Sequence, residues 1–111
     1  MQVHRALGPG LLELAYEACL VYELRNRGLE VEQQKPLPVV YKGVHVECGY
    51  RLDLVVNDAV IVELKTVQAI EPVHMAQLLS YLKLANKPLG LFINFHVKML
   101  KDGIQRIVNN F

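Results

Sequence analysis

Apolar residues in this chain recur first at helical spacing and then at strand spacing. Between Leu11 and Arg27 the repeating positions are Leu12, Tyr16, Cys19, Leu20 and Leu24, one face of a helix. The turn Gly8-Pro9-Gly10 launches it. Arg25 and Arg27 near its end and Gly28 after it are ordinary stop signals. Pro36 and Pro38 then break the pattern. Leu37 to Val46 reads as a strand, a Lys42-Gly43 turn and the start of a second strand. Gly49 to Val56 and Ala59 to Val67 read as strong strands around an Asn57-Asp58 turn. Glu71-Pro72 opens a second helix whose inward stripe is Met75, Leu78, Leu79 and Leu82, and Lys87-Pro88 closes it. Leu89 to Phe95 is a continuous apolar run, as in an interior strand. Lys101 to Val108 reads as a short last helix with Ile104, Ile107 and Val108 inward.

The expected order is therefore αβββαβα. Hairpin-linked strands are antiparallel, and the second helix can cross over to bring the last strand in parallel. This is an α/β chain with a mixed four-stranded sheet flanked by helices. At 111 residues it is the size of one domain, expected to span 1–111. With 52% hydrophobic and 21% charged residues it can form a core, which excludes wholesale disorder. No apolar stretch approaches a membrane span, and the first ten residues lack the core of a secretory signal. Cys19 and Cys48 form no metal-type pair, so a cytoplasmic protein with two reduced thiols is expected.

Charge adds a little. Residues 1–64 hold six Lys/Arg and nine Asp/Glu, and residues 65–111 hold six and two. An acidic part beside a basic part suits a cation site next to a phosphate-binding surface, and chance explains it as well.

The chemistry concentrates in two strands too apolar to carry charge without a reason. Asp53 lies in Arg51-Leu52-Asp53-Leu54-Val55-Val56, and Glu63 and Lys65 lie in Val60-Ile61-Val62-Glu63-Leu64-Lys65. Glu63 and Lys65 are two apart and share a face. Asp53 joins them if the hairpin loop is Asn57 to Ala59, which pairs Val56 with Val60 and sets Asp53 opposite Glu63. A two-residue loop would send Asp53 to the other face. Two opposed carboxylates are tolerable around a divalent cation such as Mg²⁺ or Mn²⁺. Such a cation can acidify a water, and a lysine beside it can stabilise phosphate charge. The plain alternative is an ion pair on a half-exposed strand, which is common for an isolated Glu-x-Lys. With Asp53 on the preceding strand, the metal reading is preferred. On the second helix, His74, Gln77 and Tyr81 share one face, where Gln77 could orient water or phosphate and Tyr81 could contact the substrate. A solvent-facing polar stripe explains His74 equally well. On the first helix Tyr16 sits between Glu13 and Glu17, and Glu13 on its own reads as a helix-start residue. His4, His45 and His96 show no ligand spacing, and Asn94 reads as the cap of an apolar strand.

Gly10-Leu11-Leu12-Glu13-Leu14-Ala15-Tyr16 resembles the pattern that names the GxxExxY proteins, small members of the PD-(D/E)XK nuclease superfamily. The likeness continues through Val3 to Gly10, Cys48-Gly49-Tyr50-Arg51-Leu52-Asp53, Ile61-Val62-Glu63-Leu64-Lys65, Gln77-Leu78-Leu79-Ser80-Tyr81, Leu91 to Phe95 and Leu100 to Ile104. The resemblance implies a restriction-endonuclease-like core, with Asp53, Glu63 and Lys65 as the signature triad and Glu13 as a further acid. It departs from the motif in having Leu52 in place of Pro. A helix that such proteins usually carry ahead of Val3-His4-Arg5 is expected to be missing, and apolar surface left bare would then favour a homodimer.

The leading expectation is a Mg²⁺- or Mn²⁺-dependent nuclease, on DNA in preference to RNA. Asp53, Glu63 and the Leu64 carbonyl would hold the metal, with Glu13 direct or through water. Lys65 would assist at the phosphate, Gln77 and Tyr81 would position it, and Tyr16 and His74 would join Tyr81 in binding substrate. The alternative is a catalytically weak nucleic-acid-binding or assembly module of the same fold, acting with a partner.

Overall fold

The computed structural model describes residues 13–47, 49–96 and 100–109. The Gly8-Pro9-Gly10 turn, Leu11, Leu12, His4 and Cys48 lie outside them. Helix α1 (Glu13–Asn26) leads into β1 (Val31–Pro36). The short strands β2 (Val39–Tyr41) and β3 (Val44–Val46) follow, then β4 (Arg51–Val56) and β5 (Val60–Lys65). Helix α2 (Pro72–Ala85), β6 (Leu89–Asn94), a 3₁₀ turn (Leu100–Gly103) and β7 (Ile104–Val108) complete the order.

Among the described residues five strands form a mixed sheet in the order β1-β4-β5-β6-β7, while β2 and β3 pair only with each other. β5 and β6 run parallel, and the other neighbours in the sheet are antiparallel. Each helix covers one face. Tyr16, Leu20 and Val21 of α1 pack with Val31, Leu54, Val62, Leu64, Ile93 and Phe95. Leu78 and Leu82 of α2 pack with Leu37, Leu52, Val55, Ile61 and Phe92. Met75 is only partly buried, so the inward stripe of α2 narrows toward its start. α2 lies close against β6: a Cβ on Gly90 would stand 3.0 Å from Leu78. No helix among the described residues is long and apolar enough to cross a membrane.

Two elements differ from expectation. Residues 104–108, read as a helix, form β7 on the free edge of β6. Ile104, Ile107 and Val108 fit a helical stripe, but only Ile107 turns toward the α2-side core, and Ile104 and Val108 are exposed. The β-branched residues and the unpaired backbone of β6 favour a ladder here. The first strand of the main sheet is also not the one read between Leu37 and Val46. It is Val31–Pro36, whose interior is Glu-Gln-Gln-Lys and whose only buried side chain is Val31. An edge strand with a solvated face carries no apolar signature. Residues 39–46 instead make the separate β2–β3 hairpin, with Val40, Tyr41, Val44 and Val46 exposed. The four-stranded sheet expected from the sequence is thus five-stranded with an added hairpin.

Candidate active site

The β4–β5 hairpin pairs Val56 with Val60, Val55 with Ile61 and Leu54 with Val62. Asn57 and Asp58 at its tip have φ near +50° (51° and 53°), conformations these short polar residues tolerate. This is the register that sets Asp53 opposite Glu63. The backbone ladder stops at Leu54 and Val62, however, and side chains span the next step. The Asp53 N–H donates to Glu63 Oε1 at 3.2 Å, and the Leu64 N–H donates to Asp53 Oδ2 at 2.9 Å. Each carboxylate is thus oriented by the backbone of the opposite strand. The strand also rotates here. Leu52 and Val55 both belong to the α2-side core and Leu54 to the α1-side core. Strict alternation would keep Leu52 with Leu54, so the break falls at Asp53.

Glu63 is 6% exposed. Burial first, and the Asp53 charge next, push its carboxyl up to about 8, against the opposing pull of the Asp53 N–H and Lys65. Lys65 stands two residues on along β5, half-buried. Among the described residues its ammonium has no hydrogen-bond or ion-pair partner. From the α2 side, Tyr81 Oη accepts a bond from Gln77 Nε2 at 3.0 Å. Its phenol is raised by burial and then by the charge of Glu63, with Tyr50 and Asp53 adding to it. The Tyr50 ring lies 5.9 Å from that of Tyr81.

The family model of the PD-(D/E)XK nuclease superfamily matches residues 1–107. The chain belongs to this superfamily. No curated protein and no solved structure matches it. PD-(D/E)XK nucleases typically use divalent metals, and the donor set can be tested against one. Two carboxyl groups are held together, one buried and reluctant to ionise, with Lys65 alongside. Burial first, and the Asp53 charge next, keep Glu63 from ionising; a hard cation would offset both, so the pair fits. Among the described residues no third acid, His or Cys joins them in a ligand cluster. The remaining positions would fall to the Leu64 carbonyl, water or phosphate.

The two first-helix residues lie in different surroundings. Glu13 Oε1 accepts the Thr66 N–H at 3.2 Å, one residue beyond Lys65, and does not enter a ligand cluster with Asp53 and Glu63. Tyr16, expected on substrate, is wholly buried and stacks on Phe95 with ring centroids 3.9 Å apart. Its hydroxyl has no partner among the described residues. His74 serves the start of α2: its Nδ1 accepts the Glu71 N–H at 2.8 Å. Asn94 does more than cap. Buried at the end of β6, it accepts the Val67 and His96 N–H groups and donates to the Val67 carbonyl, bracing the segment after Lys65.

Two residues near this candidate site of the PD-(D/E)XK chain were given no role from the sequence. Glu17 is 6% exposed, and its two oxygens accept from Gln33 Nε2 (3.3 Å) and Gln34 Nε2 (2.7 Å). Gln34 Nε2 also reaches Asp53 Oδ1, at 3.4 Å. Glu17 left one signal: a glutamate beside Tyr16, three residues before Leu20 on the apolar stripe. Gln34 left none.

Proposed function

We propose that this chain hydrolyses phosphodiester bonds of nucleic acid, DNA in preference to RNA, using Mg²⁺ or Mn²⁺ at Asp53 and Glu63. The observation that supports the reading is the reciprocal clamp across the broken ladder: Asp53 Oδ2 on the Leu64 N–H and Glu63 Oε1 on the Asp53 N–H. Two carboxyl groups are placed side by side, and ionising both costs stability, as in sites built for a cation. The preference for DNA rests on the resemblance to the GxxExxY proteins, not on geometry.

When bound, the cation supplies a Lewis acid for a phosphate oxygen and lowers the pKa of a water. Asp53, Glu63 and the Leu64 carbonyl hold it. Lys65, without a hydrogen-bond or ion-pair partner among the described residues, neutralises charge growing on the phosphate. Tyr81, oriented by Gln77, positions the phosphate from the α2 side. Glu13, tied to the Thr66 amide, acts through water. Cys19 is a free thiol, in keeping with a reducing, cytoplasmic setting.

The test is cleavage of single-stranded, duplex and branched DNA with Mg²⁺ or Mn²⁺, alongside binding of the ions by calorimetry. Wild type should cut, and Asp53→Ala and Glu63→Ala should lose both cutting and ion binding. Lys65→Ala should keep ion binding and lose turnover by about 10²-fold or more. Wild type that binds the ions and cuts no nucleic acid would refute the nuclease reading.

A further inference from the structure

Gln34 sits inside β1 at φ +49°, the left-handed region, which residues other than glycine seldom enter and which is foreign to a strand. Its strand neighbours Gln33 and Lys35 pair in register with Leu54 and Leu52, so Gln34 is the residue opposite Asp53. Consecutive strand residues normally point to opposite faces. Gln33 and Gln34 nevertheless both reach Glu17. The left-handed turn at Gln34 brings its amide to the side where Gln33 already is. From there one NH₂ group meets two carboxylates, Glu17 Oε1 at 2.7 Å and Asp53 Oδ1 at 3.4 Å. The primary amide has two protons, one for each. Asp53 is thereby held at both oxygens: Oδ2 by the Leu64 N–H and Oδ1 by Gln34. Glu17, buried on α1, anchors the amide.

We propose that Gln34 is a positioning residue that fixes the rotation of the Asp53 carboxylate through an anchor on Glu17. Backbone strain kept in β1 for this purpose is the expected mark of a functional constraint. The inference builds on the nuclease reading. It concerns how this chain aligns its own acid, so it also has a readout that requires neither metal nor substrate: the Leu64 amide, whose acceptor is Asp53 Oδ2.

Gln34→Gly is the informative variant, because glycine takes positive φ without strain while the amide is lost. The variant should stay folded, the relief of the left-handed strain partly offsetting the loss of the hydrogen bond on buried Glu17. By NMR, the Leu64 amide should exchange with solvent about tenfold faster than in wild type, with Val62 unchanged. In Mn²⁺ its kcat on DNA should fall about tenfold with KM unchanged, since a misaligned acid affects the reaction more than substrate binding. Unchanged Leu64 exchange, or faster exchange with unchanged kcat, would overturn the proposal and leave the nuclease reading standing. If Leu64 exchanges faster and wild type cuts no DNA, the clamp is supported and the nuclease reading falls.

Discussion

Replacing Glu63 by glutamine tests the strain held at the site. In the metal-free chain the carboxyl of Glu63 is pushed from 4.5 to about 8. The folded state therefore holds the Glu63 proton more tightly than the unfolded state does. Stability from this group is intact below pH 4.5 and is lost as pH rises toward 8. Each tenfold difference in proton affinity is worth about 1.4 kcal/mol, so about 3 kcal/mol is gone by pH 7 and about 5 kcal/mol by pH 9. That is a large share of the roughly 5–15 kcal/mol by which a domain of this size is stable. Glutamine keeps the shape, can accept the Asp53 N–H and does not titrate. Urea denaturation of wild type and Glu63→Gln with a chelator present, at pH 5, 7 and 9, isolates the effect, because histidines and thiols contribute equally to both. Wild type should lose stability relative to the variant by about the amounts above. Adding Mn²⁺ should restore wild type at pH 7 to 9 and leave Glu63→Gln unmoved. A difference between the two proteins that stays flat from pH 5 to 9 would show that Glu63 ionises freely and that the pair is not built to seek a cation.

Two further outcomes follow from the core. Gly90→Ala should destabilise by about 1–3 kcal/mol in urea titration, because the new methyl has only the Leu78 side chain to displace and Leu78 is fully packed; a neutral result would mean that α2 can shift off β6 at no cost. Tyr16→Phe should be neutral or stabilise by about 1 kcal/mol, since it removes a buried hydroxyl without a partner among the described residues and keeps the stack on Phe95; a clear loss of stability would reveal a hydrogen bond to that hydroxyl.

The centre of this molecule was legible because its pattern is local. Asn57 to Ala59 fixes the register of β4 and β5, and from that register the opposition of Asp53 and Glu63 follows by counting. Helix α2 announced itself through Glu71-Pro72 and the spacing of Leu78 and Leu82. The periphery was illegible for physical reasons. β1 is held by backbone pairing to β4 and buries one side chain, so hydrophobic period says nothing of it. Ile104, Ile107 and Val108 satisfy two periods at once, and the free edge of β6 decides between them. Gln34 could not have been found, since its importance comes from a backbone angle and from Glu17, seventeen positions earlier. The clamp itself was half readable. Opposition of two acids follows from the register, whereas the use of each other's backbone in place of the ladder does not.

The two edges of the sheet also differ in what they offer another strand. An added neighbour needs a run of extended residues with their donors and acceptors in line. β1 breaks that run twice within six residues, with Gln34 in the left-handed region and Pro36 lacking an N–H. β7 contains no proline, no glycine and no positive φ, and it presents Ile104 and Val108 to solvent. Among the described residues, the sheet is closed to extension beside its acidic site and open at the far end.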